Sequence, residues 1–212
     1  MSQCTRFIES LARVDVSDRA CNQFARGDRA NAIRRRNLAI YFEEIGPANL
    51  LLIGEAPSHR GGRLTGIAFT SETLMLGGAH GHLGEHRGYR KATPGAVRST
   101  EASATMVWST IRDLSPLPLL WNAFPFHPFH HGDPLSNRMP LVGELQIGQR
   151  FIEGLMEMFP IERVVAIGNH AAKSLTLFGI AHEKVRHPSM GGKHEFVAGM
   201  ARLSARGLRT ED

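Results

Sequence analysis

The chain has 212 residues, 42% of them apolar and 21% charged, an ordinary composition for one folded unit with a substantial core. No apolar run approaches the about 20 residues that span a bilayer, the N-terminal stretch lacks the charged, apolar and small-residue succession of a signal peptide, and two cysteines, Cys4 and Cys21, are too few for a disulfide framework. These features argue against a membrane role and a secreted scaffold, and a single cytoplasmic domain over residues 1–212 is expected; a net charge of +5 favours a polyanionic partner such as nucleic acid.

Residues 1–46 read as N-terminal helices. Phe7, Ile8, Leu11 and Val14 fall at helical spacing, as do Ile33, Leu38, Ile40, Tyr41 and Phe42 less regularly, with a break at Arg26-Gly27-Asp28-Arg29. Leu50-Leu51-Leu52-Ile53-Gly54 is a buried strand, and Glu55-Ala56-Pro57-Ser58 cannot continue it, because Pro57 donates no hydrogen bond and restricts Ala56. A glycine-bearing segment leads into Ile67-Ala68-Phe69-Thr70-Ser71. Residues 77–100 form a polar insertion without periodicity, rich in Gly, His and Arg. A helix over Thr105 to Leu114 follows, then a strand over Leu119 to Phe124 that stops at Pro125. Residues 143–158 are an amphipathic helix, Arg163 to Gly168 a third strand, Asn169 a candidate cap, and Ala171 to Phe178 a short helix stopped by Gly179. Glu183 to Arg186 is an extended piece ending at His187-Pro188-Ser189, and Glu195 to Ala205 is helical.

Strands alternating with helices imply right-handed crossovers, hence an α/β fold: a three-layer α/β/α sandwich on a central four-stranded parallel sheet. The strand ends then meet on one edge, where open α/β sheets place their ligands. A carboxylate (Glu55), an amide (Asn122) and an imidazole (His187) converge there. An Asn side chain offers one acceptor and two donors, enough to read an amide–imide ring edge. An imidazole can donate to an oxygen that gains charge as a bond breaks, and an aromatic such as Phe69 can stack on a flat ring. These are parts for binding a flipped-out base and letting it leave as an anion.

Together the motifs resemble those of the uracil-DNA glycosylase superfamily, over roughly residues 48–203. Gly54-Glu55-Ala56-Pro57 resembles the first motif of its thermophile-type branch (family 4). Gly66-Ile67-Ala68-Phe69-Thr70 is similar to the segment whose Phe stacks on uracil, and Asn122 to the uracil-reading Asn. Asn137-Arg138-Met139-Pro140 resembles that branch's N-R-x-P segment. Val164 to Ala172 resembles its apolar strand followed by G-x-x-A, and His187-Pro188-Ser189 its last motif. The resemblance implies a monofunctional enzyme of base-excision repair. It would hydrolyse the N-glycosidic bond of uracil in DNA and leave an abasic site, with uracil-containing DNA as partner and a monomeric chain. His187, Glu55 and Asn122 would be catalytic. Gly54, Ala56, Ser58, Phe69 and Asn122 would contact the base. Thr70, Ser71, Ser189, Met190 and Lys193, with Arg87 and Arg90 of the insertion, would contact DNA.

The sequence departs from the family in three places. Ala56 stands where the best-known branch has a water-activating Asp, which leaves that task to Glu55, a backbone carbonyl or another residue. Ser58 stands where that branch has a Tyr that excludes thymine. The cysteines that hold an iron–sulfur cluster in the thermophile-type branch are absent near Phe126 and Leu145, so no cofactor is expected. His80, His82, His127, His130 and His131 lack the acids or thiolates of a metal site, and no metal is expected. Met190 is the one candidate wedge for the gap left by a flipped base. The alternative is a protein that grips uracil or abasic DNA without turnover, covalently through His187. A hydrolase of small nucleotides or esters lacks a nucleophile elbow.

Overall fold

The computed structural model describes residues 1–207. In chain order the elements are α1 (Gln3–Ala12), β1 (Ala20–Cys21), α2 (Arg29–Ile45), β2 (Leu50–Gly54), α3 (Gly62–Thr65), α4 (Glu72–Gly77) and a single 3-10 turn at Glu85–Arg87. There follow α5 (Ala102–Ile111), β3 (Leu119–Asn122), β4 (His127–Pro128), α6 (Val142–Met158), β5 (Arg163–Ile167), α7 (Asn169–Leu177), β6 (Glu183–Val185) and α8 (Lys193–Gly207). Four strands make the expected parallel sheet, in the order β3-β2-β5-β6. Leu51, Leu52, Ile53, Val165 and Ala166 are fully buried, as a sheet covered by helices on both faces requires.

The layers follow from the crossovers. The step from β2 to β3 runs one way along the sheet and the steps from β3 to β5 and β6 run the other, so right-handed connections put α5 and α6 on opposite faces. α5 packs with α8, and α1 packs with α6. On the α1–α6 face Phe7 meets Phe42, Trp121 and Phe151 edge-on, with ring centroids 5.6–5.7 Å apart. α2 closes the β3 edge: the backbone N–H of Leu120 donates to the buried Tyr41 hydroxyl at 2.8 Å. An edge strand thus has its outward donor satisfied rather than left open.

Three sequence readings change. The break between the first two helices spans residues 13–28 rather than four residues, and within it β1 pairs antiparallel with β4. Asn169 is the first helical residue, and Gly168 occupies the cap. Residues 77–100 are packed rather than loose. Leu83 and Tyr89 are fully buried, and the Asn37 amide donates to the Arg90 carbonyl at 2.9 Å while its oxygen accepts the Arg90 N–H at 3.0 Å.

Candidate functional site

The parallel register sets Gly54 beside Asn122, and the ladder runs on past both strands. Ala123 N–H donates to the Gly54 carbonyl at 2.8 Å and Phe124 N–H to the Glu55 carbonyl at 3.0 Å, so the two loops leave the sheet held together. Gly54 is needed here for close approach. A Cβ at this position would fall 2.4 Å from the Phe69 ring and 2.6 Å from Asn122 Oδ1. Without one, the ring and the amide lie directly over the strand end. They form one end of a cleft of about 510 Å³, within the ordinary range for a ligand site. Glu55, Ala56, Ser58, Phe69, Asn122, His187 and Ser189, expected from the sequence, all line it.

His187 comes from the loop after β6 and sits 6.4 Å from Phe69, ring centroid to centroid, tilted by 38°. Ser189 N–H donates to His187 Nδ1 at 3.2 Å, and the Ser189 hydroxyl lies 2.7 Å from the same nitrogen. An Nδ1 that accepts a hydrogen bond leaves the proton of the neutral ring on Nε2. Burial, then the neighbouring Arg186 and His170 charges, push the His187 pKa down, which favours that neutral form. Asn122 is 4% exposed, and its side chain has no hydrogen-bond partner among the described residues. Its amide is therefore free for a ligand.

Glu55 is half-buried at the cleft. Burial raises its carboxyl pKa, and His170, at 3.8 Å, pulls the other way. The loop behind it is fixed from below: the buried His127 contacts the Pro57 carbonyl through Nδ1 at 2.9 Å and the Pro134 carbonyl through Nε2 at 3.3 Å. Asn137 Oδ1 accepts the His59 N–H at 2.9 Å. Arg138 next to it is a structural clamp. It makes two 2.7 Å bonds to Glu144 and donates to the carbonyls of Phe129 and Arg19. Phe69 and Met190, at φ 50° and 52°, are the non-glycine residues with positive φ among those described, and both belong to the loops around the cleft. Strained backbone of this kind collects at functional sites.

Four of the residues expected at DNA are buried or engaged within the protein. Thr70 is fully buried; its hydroxyl accepts the Trp108 indole N–H at 3.0 Å and donates to the Ala68 carbonyl. Ser71 is 1% exposed. Arg87 pairs with Glu44 at 2.8 Å, in the last turn of α2. That turn leads into the start of β2, so Arg87 stands at the edge of the sheet opposite the cleft. Arg90 donates to the carbonyls of Glu85 and Tyr89. Of the insertion's other cations, Lys91 is tied to Thr93 and Pro94, and Arg98 to Glu85. The insertion's charges knit it to itself and to α2. Exposed cations nearer the cleft are Arg186, which lines it, Arg60 in the turn after Pro57, and Lys193 at the start of α8.

Sequence reasoning passed over Glu101, Ser103 and His170 as site residues, although all three line the cleft. An acid at a helix start reads as solvated, and no local pattern marks Glu101 as facing a loop some 40 positions earlier. His170 stood inside the quoted strand-and-helix motif, where its place on the first turn of α7 gave the signal.

A parallel sheet of this order, with an aromatic ring, an amide and an imidazole lining one cleft at its carboxyl edge, defines an α/β protein with its candidate site at the strand ends. Residues 42–199 match the Uracil DNA glycosylase superfamily, and the chain belongs to that superfamily. No curated protein matches the sequence. Among solved structures, wild-type Pedobacter heparinus SMUG2 superposes with a TM-score of 0.69 at 12% identity, covering 98% of this chain and 99% of that one. At that identity the likeness speaks for the fold. Among the described residues no helix is long and apolar enough to cross a membrane, and no group of His, Cys, Asp and Glu is arranged to hold a metal ion.

Proposed function

We propose that the chain is a monofunctional DNA glycosylase that hydrolyses the bond between uracil and deoxyribose in DNA, in base-excision repair. The observation that carries this reading is the free Asn122 amide set over Gly54 beside Phe69, with His187 lining the same cleft. A flipped uracil stacks on Phe69. Asn122 accepts from ring N3–H and donates to O4, a pairing that cytosine, with its reversed donor and acceptor, does not satisfy. As the glycosidic bond breaks, its electron pair passes into the ring and charge gathers on O2. The His187 Nε2–H, aimed by Ser189, donates to that oxygen. Water adds to the sugar carbon and gives up its proton to Glu55, the cleft carboxylate that replaces the family's Asp at the Ala56 position. The products are free uracil and an abasic sugar. Met190, 92% exposed on the loop after His187, is the wedge for the vacated stack, and Ser189, Lys193, Arg186 and Arg60 supply contacts to the phosphates.

The test is a uracil-containing duplex incubated with the protein and then treated with alkali. Scission at the uracil is expected, reduced by about 10²–10³-fold in His187→Ala, which removes the oxyanion donor, and strongly reduced in Asn122→Ala. No scission with any deaminated base would overturn the reading. A denaturation-resistant protein–DNA band without scission would replace hydrolysis by trapping at His187.

A further inference from the structure

The polar insertion of residues 77–100 has no part in the proposed chemistry, yet it is bonded to both ends of the loop that carries Phe69. At the near end stands Asn37 of α2, fully buried. Its amide nitrogen donates to the Thr65 carbonyl at 3.2 Å and to the Arg90 carbonyl at 2.9 Å, and its oxygen accepts the Arg90 N–H at 3.0 Å. At the far end Glu72 opens α4 with a carboxylate buried in the fold. Oε2 accepts the Ser99 N–H at 3.0 Å, Oε1 accepts the Thr93 hydroxyl at 2.5 Å, and Lys91 Nζ lies 3.8 Å from Oε1. All three partners belong to the insertion. Bonds also run the other way: the Ser99 hydroxyl accepts the Glu72 N–H at 3.3 Å, and the Ser99 carbonyl accepts the Thr73 N–H at 3.0 Å. Between these two anchors lies Phe69 at φ 50°. The Thr65 hydroxyl donates to the Thr70 carbonyl at 2.8 Å and so ties the loop across that residue.

We propose that the insertion is a clamp on the stacking ring, with Asn37 and Glu72 as the positioning residues through which it acts. This inference rests on the glycosylase reading, in which Phe69 stacks on the base. An aromatic residue at positive φ keeps that conformation only where its surroundings over-determine it. The Phe69 ring lies so close to Gly54 that a Cβ there would fall 2.4 Å from it, so relaxation of the loop would lift the ring off the strand end and away from the Asn122 amide. Holding both loop ends in advance spares an incoming base the cost of ordering the ring, which is how preorganisation raises affinity. Asn37, Glu72 and Thr93 do not line the cleft, so a substitution at any of them reaches the base through the Phe69 loop.

Affinity for two duplexes that resist cleavage tests this, one carrying a 2′-fluoro-arabino uracil nucleotide and the other a tetrahydrofuran abasic analogue. Only the first offers a base to stack. The wild type should prefer it, and Phe69→Ala should cut that preference by about 5–150-fold, the range a base–aromatic stack contributes. Asn37→Ala, Glu72→Ala and the near-isosteric Thr93→Val should each lose part of the same preference, about 3-fold or more. Glu72→Gln, which keeps an acceptor for the Ser99 N–H, should recover most of it. Partial unfolding lowers both affinities alike and leaves their ratio unmoved, so the ratio separates positioning from stability. Hydrogen exchange over residues 65–72 should quicken in the Asn37→Ala and Glu72→Ala proteins. A ratio that stays at the wild-type value in both of these while falling in Phe69→Ala would overturn the proposal. A wild type with no preference for the uracil duplex would sink the base-binding reading instead. Exchange then decides the clamp alone, and unchanged exchange in both variants would overturn it.

Discussion

At the scale of single residues, the proposed reaction gives Glu55 the task the sequence left open. Its carboxyl must be ionised to take a proton from water, and burial sets its pKa above the ordinary 4.5. The folded protein therefore holds the inactive, protonated form to a higher pH than an exposed Glu would. The kcat/KM profile should fall on the acid side with a midpoint above 4.5, and Glu55→Gln should remove that limb while lowering kcat by about 10²–10⁴-fold, the usual contribution of a general base. An acid limb that survives in Glu55→Gln would assign it to His187, whose pKa is depressed by burial and by Arg186 and His170. Local sequence located Glu55 at the strand end. It did not show His170 beside it, because the first turn of α7 comes over 100 positions later.

Among the elements, the parallel strands were legible from their apolar runs, and the site followed from where those runs stop. Gly54, Asn122 and His187 are each the last residue of a strand or the start of the loop after it, so knowing the strand ends was enough to bring them together. What stayed hidden has a common physical form: pairings too short to carry a period, and side chains satisfied by distant backbone. β1 and β4 have two residues each. Thr70 looked like a surface hydroxyl because nothing nearby in sequence announces Trp108 as its donor. Tyr41 is the same kind of case, a helix residue whose hydroxyl finishes the edge of a sheet. Removing that oxygen leaves the buried Leu120 N–H unpaired, so Tyr41→Phe should cost about 1–3 kcal/mol. A urea titration would show this as a lower midpoint with an unchanged slope, and excision activity should persist because no cleft contact is altered.

For the molecule as a whole, acid should act on the fold through its histidines. His80, His127 and His187 all have depressed pKa values, with burial as the first cause in each. The unfolded chain then binds protons more readily than the folded one as pH drops below about 6.5, so the stability these groups contribute is present above that value and is lost as pH falls toward their folded pKa values. The thermal midpoint should decline between about pH 7 and 5. His80→Phe keeps a ring against Trp108, now 5.6 Å from the His80 ring, and removes a buried Nδ1 that has no partner, so it should flatten part of that decline. The short β1–β4 ribbon has a consequence for where the protein can be cut. The family match begins at residue 42, downstream of β1. Yet Gln23 donates to the Pro125 carbonyl, Phe129 N–H and Arg138 donate to the Arg19 carbonyl, and Ala20 and Cys21 lie alongside Pro128 and His127. A fragment trimmed to residues 42–199 would retain every cleft residue and lose the splint behind one wall, so the boundary of the family match is not a boundary for expression or for grafting this pocket elsewhere.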